Sequence, residues 1–227
     1  MSEIESADGS GLPELRQRVS MGVEGILRRS ATLGFLGGMD LNEQIDHALG
    51  FVFTAEACLG RPPSSVLDLG SGGGVPGLVL LSCWPESRIV LMDANERRTE
   101  FLSVELAEWS EGASIEVVRG RAEELGRDPR LRGRFELVTS RSFGPPAVTA
   151  ECGASFLSVG GLLVVSEPPE ADSSGRWPVE GLAQLGLEPS DRLRFDGRFG
   201  FQALIKVEAL DDRYPRRVGV PAKRPLF

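Results

Sequence analysis

Blocks of hydrophobic and polar residues alternate along the chain and predict strands and helices in turn. From Ser64 onward, short runs rich in valine, leucine and isoleucine are separated by longer stretches of helical character. The short runs predict strands at 65–69, 88–92, 115–119, 135–140 and 161–166. The longer stretches predict helices at 76–84, 95–110, 146–158 and 178–185, with a helical turn at 121–125. This alternation is typical of an α/β fold, in which helices cover both faces of a mostly parallel sheet.

Near the C-terminus the pattern changes to two neighbouring strands. The sequences RLRFDG and GFQALIKVEAL predict a hairpin that turns between Gly197 and Gly200. An antiparallel pair after five alternating units gives a Rossmann-like, mostly parallel sheet of seven strands. We assign this domain to residues 61–210, and we predict an internal loop at 168–178.

The residues before this domain predict a helical extension, 12–60, after a polar start, 1–11, that we expect to be disordered. One amphipathic helix is predicted at 12–36, and a second helix, capped by Asp40, ends near Cys58. The arginines of the first helix form either a solvated face or a face that contacts RNA. They are Arg16, Arg18, Arg28 and Arg29.

Composition is that of an ordinary soluble protein. The 227 residues, 41% of them hydrophobic, suit one α/β domain with an extension. The net charge of −8 disfavours nucleic-acid binding over the whole surface, because such binding depends on neutralising phosphates, but local basic patches are compatible with it. The start of the chain lacks the pattern of a secretory signal, and no run approaches about 18 apolar residues. We therefore expect a cytoplasmic monomer that does not bind membranes.

Cysteine and histidine usage gives no sign of a metal site. Cys58, Cys83 and Cys152 are widely spaced and include no CxxC pair, which predicts neither a disulfide framework nor a zinc site. His47 is the only histidine and has no partner histidine for a metal. We interpret it as a packed or surface residue rather than a catalyst, and we predict no bound metal.

A glycine-rich stretch, VLDLGSGGGVPG at 66–77, follows the first strand of the alternating region and predicts a nucleotide-cofactor site. Its glycines allow positive φ and close approach of a ligand, and the amides of the next helix can bind an anionic group. Asp68 would repel a pyrophosphate and attract the ammonium of a methionyl group, which favours S-adenosylmethionine. Since residues 72–77 also match GxGxxG, an NAD-dependent oxidoreductase and a glycine turn without a ligand remain alternatives.

Residues at the next two strand ends extend the predicted site. Asp93 ends the second strand, where its carboxylate can accept both hydroxyl hydrogens of an adenosine ribose. An acid that caps the following helix would look the same locally. After the third strand, small Ala122 would admit an adenine ring, and Glu123 or its backbone would meet the edge of that ring.

Arg141 follows the fourth strand in the segment TSRSFG and is our candidate catalytic residue. In open α/β sheets the ligand crevice lies outside the carboxyl ends of the strands, so this guanidinium should lie where cofactor and acceptor meet. A salt bridge to Glu167 is the alternative. Phe143 would either stack on a base or pack in the core.

The C-terminal segment, 211–227, is rich in basic residues. From Arg213 to Phe227 it carries five positive charges and no acid. This composition predicts either an arm that contacts RNA phosphates or a solvated tail. Our candidate RNA-binding residues are Arg121, Arg216, Arg217 and Lys223.

Five segments together resemble the glucose-inhibited division protein B family. They are VLDLGSGGGVPGLVL, LMDANERRTEFL, GRAEEL, TSRSFG and RYPRRVGVPAKRPL, and they occur in the family's order over roughly residues 40–227. The resemblance implies a class I methyltransferase that uses S-adenosylmethionine to methylate guanine N7 in small-subunit ribosomal RNA. Guanine N7 carries a lone pair and no proton, so its attack needs alignment rather than a general base. By resemblance, the cofactor contacts are Gly70, Val75, Asp93, Ala122, Glu123 and Arg141; the loop geometry adds Asp68, Gly72 and Gly74.

The chain departs from the family's pattern on the acceptor side. The usual Asn-Leu-Thr is missing, and His47-Ala-Leu-Gly50-Phe51 stands in place of His-x-Leu-Asp-Ser. After the fifth strand, Ser166-Glu167 replaces a Lys-Gly pair, which we expect to reverse the local charge. The alternatives are therefore a divergent paralogue that methylates another RNA or a small molecule, and a non-catalytic cofactor-binding protein.

Overall fold

The computed structural model describes residues 11–107, 109, 114–168 and 175–227. Apart from Gly11, the start that we predicted to be disordered lies outside the described residues, as does most of the predicted loop at 168–178. Within the described part of the chain, no helix is both long and apolar enough to cross a membrane.

Seven strands form one sheet in the order β3-β2-β1-β4-β5-β7-β6. The neighbours among β1 to β5 pair in parallel, whereas β7 pairs antiparallel with both β5 and β6. This confirms the predicted Rossmann-like sheet and its late hairpin. The strands are β1 Ser65–Leu69, β2 Arg88–Asp93, β3 Ser114–Arg119, β4 Phe135–Ser140, β5 Leu157–Glu167, β6 Leu187–Phe195 and β7 Phe199–Lys206.

Nine helices are found among the described residues, three of them in the extension. The extension holds α1 Leu12–Gln17, α2 Met21–Thr32 and α3 Leu41–Leu59. The helices after it are α4 Gly77–Cys83, α5 Glu96–Leu106, α6 Ala122–Leu125, α7 Pro146–Ala154, α8 Val179–Ala183 and α9 Val220–Lys223. The predicted α7 was too long, because β5 begins at Leu157 rather than at 161.

The single helix predicted at 12–36 is wrong, because the chain breaks it at Ser20. This residue has extended backbone, and its hydroxyl accepts a hydrogen bond from the Val23 amide at 3.3 Å. Its own amide donates to the Ser82 hydroxyl of α4 at 2.7 Å. The helical spacing of the apolar residues continues across Ser20, although this serine caps a new helix there. The spacing alone therefore did not reveal the break.

Arginines of α1 and α2 join the helices of the extension to each other and to the domain, which Arg18 reaches through the Cys83 carbonyl of α4 at 2.8 Å. Arg16 pairs with Asp46 of α3 at 2.7 Å, Arg18 with Glu56 of α3 at 2.8 Å, and Arg29 with Glu105 of α5. Arg16 and Arg18 are thus partly buried ion-pair partners rather than members of the solvated or RNA-contacting face that we predicted as alternatives. Arg29 is exposed, although it is paired. Arg28 is exposed.

The sheet carries a hydrophobic core on each face. Val66 packs with the extension and α4, while its neighbour Leu67 packs with α7 and the C-terminal segment. Successive strand residues point to opposite faces, so β1, which is buried on both, is apolar at Val66, Leu67 and Leu69 and carries one buried acid, Asp68. The two cores fix the strand ends at which the candidate site lies.

Candidate active site

The glycine loop between β1 and α4 requires glycine at several positions. Gly70, Gly72 and Gly74 have φ of +77°, +56° and +105°, a region that other residues rarely adopt. A Cβ atom at Gly74 would lie 2.5 Å from Leu78 Cδ1, and one at Gly70 would lie 2.9 Å from Phe143 Cδ2. Close packing therefore excludes a side chain at Gly74 and disfavours one at Gly70, whereas at Gly72 the positive φ alone favours glycine.

Asp68 lies behind this loop and is 1% exposed. One carboxylate oxygen accepts from the Gly77 amide at 2.9 Å, and the other accepts from the Thr139 hydroxyl at 3.0 Å. Burial raises the pKa of Asp68 to about 6, although these hydrogen bonds act in the opposite direction. The geometry supports a role in holding the loop to α4 and β4. A direct contact with a methionyl ammonium would need this buried carboxylate to become accessible, because Asp68 is not among the described residues that line the cavity.

A cavity of about 330 Å³ lies outside the carboxyl ends of the central strands. Its volume falls in the range of small-molecule sites. The wall includes four of the residues predicted to bind the cofactor, namely Gly70, Asp93, Ala122 and Glu123. Gly72, Gly74 and Val75 are not among the described lining residues; they shape the loop beneath the wall, and Val75 belongs to the hydrophobic core.

Asp93 joins the glycine loop to the second strand end. Its Oδ2 accepts from the Gly72 amide at 2.8 Å, and its Oδ1 accepts from the Asn95 amide at 2.7 Å. The N-cap of α5 is Asn95, whose side chain accepts from the Arg98 amide. The alternative that Asp93 is itself the helix cap is therefore wrong. Its carboxylate lies at the cavity wall, as ribose binding requires.

The C-terminal segment also contributes to this cavity, which the sequence did not reveal. The Gly219 amide donates to Glu123 Oε1 at 3.0 Å, and Ala222 of α9 lines the wall. Tyr214 is buried in the core beneath α7. Segment 211–227 is thus packed against the domain over much of its length. The only sequence signal for this was the apolar Val-Gly-Val-Pro within the basic stretch.

A second cavity, of about 340 Å³, adjoins the first. Both are lined by the same turn, Ser142, Phe143 and Gly144. Ser142 has φ of +54°, a left-handed conformation that is uncommon for a residue with a side chain and that often marks functional turns. Phe143 lines both cavities and also packs against the hydrophobic core that contains Leu67.

Arg141 precedes this turn and is half-buried. Burial lowers the pKa of its guanidinium, while the charge of Asp68 acts to raise it. The charge of Arg141 in turn adds to the effect of burial on His47, whose pKa is lowered to about 3. Arg141 thus lies close to both groups, although it is not among the described residues that line either cavity.

The predicted alternative, a salt bridge from Arg141 to Glu167, is not formed. Arg176 donates to both carboxylate oxygens of Glu167, at 2.6 and 3.3 Å. Since Glu167 is buried and paired, the acceptor side does not carry the uncompensated negative charge that the Ser166-Glu167 sequence suggested.

Comparison with known proteins identifies the family. The sequence profile described as GidB, rRNA small subunit methyltransferase G, matches residues 24–168. The chain belongs to the GidB family. It is 30% identical to the ribosomal RNA small subunit methyltransferase G of Leuconostoc mesenteroides, over 72% of this chain and 70% of that protein. It is 32% identical to the protein of the same name from Carboxydothermus hydrogenoformans, over 71% of each.

A solved structure supports the fold independently. A putative O-methyltransferase from Klebsiella pneumoniae superposes with a TM-score of 0.56 at 12% identity, covering 88% of this chain and 97% of that one. This likeness concerns the Rossmann-like fold alone. GidB methyltransferases depend on S-adenosylmethionine, so the chain is an S-adenosylmethionine-dependent methyltransferase.

The site of this GidB-family chain fits that cofactor. The first cavity combines bare loop backbone at Gly70, a carboxylate at Asp93 and a small residue at Ala122, as an adenosyl group with two ribose hydroxyls requires. Among the described residues, no three histidine, cysteine or acidic side chains are grouped so as to hold a metal ion.

The predicted RNA-binding residues of the GidB-family chain differ in their surroundings. Arg216 pairs at 2.6 Å with Glu151, which is fully buried, so this guanidinium is engaged in the fold. Arg121 is exposed at the rim of the first cavity, with Glu123 3.7 Å away. Arg217 and Lys223 are exposed in the C-terminal segment, whose Ala222 lines the first cavity.

Proposed function

We propose that this chain methylates N7 of a guanine in small-subunit ribosomal RNA in the cytoplasm. One observation carries the proposal: two cavities meet at the Ser142–Gly144 turn, at the carboxyl ends of the parallel strands. The first has the chemistry of an adenosyl site, and the second has room for a base. A methyl donor and a nucleobase would then face each other across Phe143.

Each part of the first cavity would bind one part of the cofactor. Asp93 would accept the ribose hydroxyl hydrogens, and Ala122 with Glu123 would border the adenine. The loop glycines would let the methionyl part approach the backbone, while Asp68 keeps that loop in place from behind. The C-terminal segment would hold Glu123 through the Gly219 amide.

The reaction needs little acid–base chemistry from the protein. When bound, S-adenosylmethionine supplies a methyl group that the guanine N7 lone pair attacks, forming an N–C bond as the C–S bond breaks and its electron pair remains on sulfur. No proton leaves N7, so the residues need only align the base. His47 agrees with this, since a pKa of about 3 leaves it neutral and weakly basic at physiological pH. Arg141 would position a phosphate or a base edge through its guanidinium fork.

Binding to RNA would rest on cations around the two cavities. Arg98 and Arg121 lie at the first cavity, and Arg217 and Lys223 are exposed nearby. A local basic rim reconciles RNA binding with a net charge of −8. We assign Arg216 to the fold, because its ion pair with Glu151 holds the C-terminal segment.

In vitro transfer tests the proposal. The purified protein should bind S-adenosylmethionine but not NAD by calorimetry, and it should methylate small subunits from a strain that lacks the gene. Methylated nucleosides from the product should contain 7-methylguanosine. Cofactor binding without transfer to these particles would favour another acceptor, and transfer to a different atom would exclude the N7 assignment.

A further inference from the structure

Three buried polar atoms without hydrogen-bond partners among the described residues belong to side chains that line the second cavity. They are Nδ1 of His47, Oγ of Ser140 and Nε1 of Trp177. Their residues are 9%, 1% and 5% exposed. A buried donor or acceptor without a partner destabilises the fold by about 1–3 kcal/mol, so three around one cavity call for an explanation.

The three groups differ in what they can bind. The Trp177 indole has only a donor, the Ser140 hydroxyl can donate or accept, and a neutral His47 ring has one donor and one acceptor nitrogen. The His47 ring is held edge-on by Phe199 and Phe51, at centroid distances of 5.0 and 5.7 Å. Together they offer both donors and acceptors without a net charge, which suits a nucleobase edge better than a phosphate.

The segment that carries Trp177 is anchored at the same cavity. Arg176, the preceding residue, is held at 2.6 Å by Glu167 at the end of β5. Since Glu167 is buried, this ion pair restrains the backbone from which the indole projects. Each of the three unpartnered atoms is itself buried in the cavity wall. Its side chain would therefore have to rotate slightly to form a hydrogen bond with a ligand in the cavity.

We propose that Trp177, with Ser140 and His47, reads the base edge of the acceptor guanine. This inference rests on the proposed function and adds the residues that select the base. The indole N–H donates to guanine O6, an acceptor where adenine presents an amino donor. Ser140 and the unprotonated nitrogen of His47 accept from guanine N–H groups. Trp177 is thereby a specificity-determining residue of the acceptor cavity.

Indole NMR signals test the proposal without requiring transfer. The chain has three tryptophans, so ¹⁵N-labelled protein gives three indole signals, and Trp177→Phe assigns that of Trp177. With S-adenosylhomocysteine present, millimolar guanosine monophosphate should shift the Trp177 signal, and adenosine monophosphate should not. An unmoved Trp177 signal, or equal shifts with both nucleotides, would overturn the proposal.

Kinetics on small subunits give a second readout with a matched control. Trp177→Phe keeps the ring but removes the N–H, so kcat/KM should fall roughly tenfold while S-adenosylhomocysteine affinity stays unchanged. Trp109→Phe is the control, because its indole nitrogen is also buried and unpartnered but packs near Gly22 in the extension. Equal kcat/KM for Trp177→Phe and wild type would contradict base reading by Trp177.

The two readouts separate this inference from the proposed function. If guanosine monophosphate alone shifts the Trp177 signal but small subunits are not methylated, base reading by Trp177 stands and the assignment to small-subunit ribosomal RNA falls. Methylation of small subunits with an unmoved Trp177 signal would retain the ribosomal assignment and remove the base-reading role.

Discussion

Arg141 lies near two groups of opposite chemistry, the Asp68 carboxylate and the neutral His47 ring. No ion pair with a described residue restrains its guanidinium, whereas Glu167, the partner that the sequence suggested, is bound by Arg176. A half-buried cation with unused donors, directly before the turn that lines both cavities, would be suited to hold an incoming acceptor. The position of Arg141 at a strand end was predictable from the sequence. The absence of an ion pair with Glu167 was not, because it depends on Arg176, which pairs with Glu167 instead.

Replacing Arg141 should separate transfer from folding. We expect Arg141→Ala to lower kcat/KM for small-subunit methylation roughly 100-fold, since misalignment of the acceptor has effects of this size. Arg141→Lys keeps the charge but loses the fork and should recover only part of the activity. Thermal unfolding and calorimetry with S-adenosylhomocysteine provide the controls. Near-normal turnover of Arg141→Ala would demote this residue to a structural role.

Asp68 should make stability depend on pH in a defined window. Its pKa in the folded protein is about 6, above the ordinary 3.8, so the folded state binds the proton more tightly than the unfolded chain. The free energy of unfolding should therefore fall as pH rises from about 4 to 6, by roughly 3 kcal/mol from this group. In Asp68→Asn, whose amide can still meet Gly77 and Thr139, this contribution should disappear. Urea unfolding at several pH values measures it; identical pH profiles for both proteins would refute the assignment.

The helices and strands show which sequence signals were sufficient. The five parallel strands could be predicted because each is a short run of apolar, often β-branched residues bounded by turn residues. For β1 and β4 even the predicted bounds are those of the structure. The extension was misjudged, since Ser20 caps α2 within an apolar repeat and its amide bonds to Ser82, far along the chain. The cofactor loop was found from its glycines, but the wall formed by Ala222 was not, because it results from tertiary packing of a basic segment.

The C-terminal segment provides a prediction that separates folding from RNA binding. Arg216→Ala would leave the fully buried Glu151 without its partner and should lower the free energy of unfolding by about 2 kcal/mol. Arg217→Ala, at the exposed neighbouring position, should leave stability unchanged and weaken binding to small-subunit RNA. Urea unfolding and RNA titrations distinguish the two. Equal stability of both variants would show that the Glu151 ion pair does not hold this segment.

At the scale of the whole molecule, the extension and the C-terminal segment each form a hydrogen bond to the cofactor region. Ser30 of α2 donates to the Gly73 carbonyl at 2.8 Å, and Gly219 donates to Glu123. The net charge of −8 disfavours RNA contact over the whole surface, so we propose that RNA contacts the basic rim of the cavities. Composition predicted a single α/β domain with an extension, but not that both chain ends would support one site.

Methylation of ribosomal RNA in cells tests the central claim most directly. Small-subunit RNA from a strain that lacks the gene should have lost one 7-methylguanosine, measured by mass spectrometry of RNA digests. The wild-type gene should restore it, and the Arg141→Ala gene should not. An unchanged 7-methylguanosine content in the deletion strain would contradict the assignment of this chain to a guanine of small-subunit ribosomal RNA.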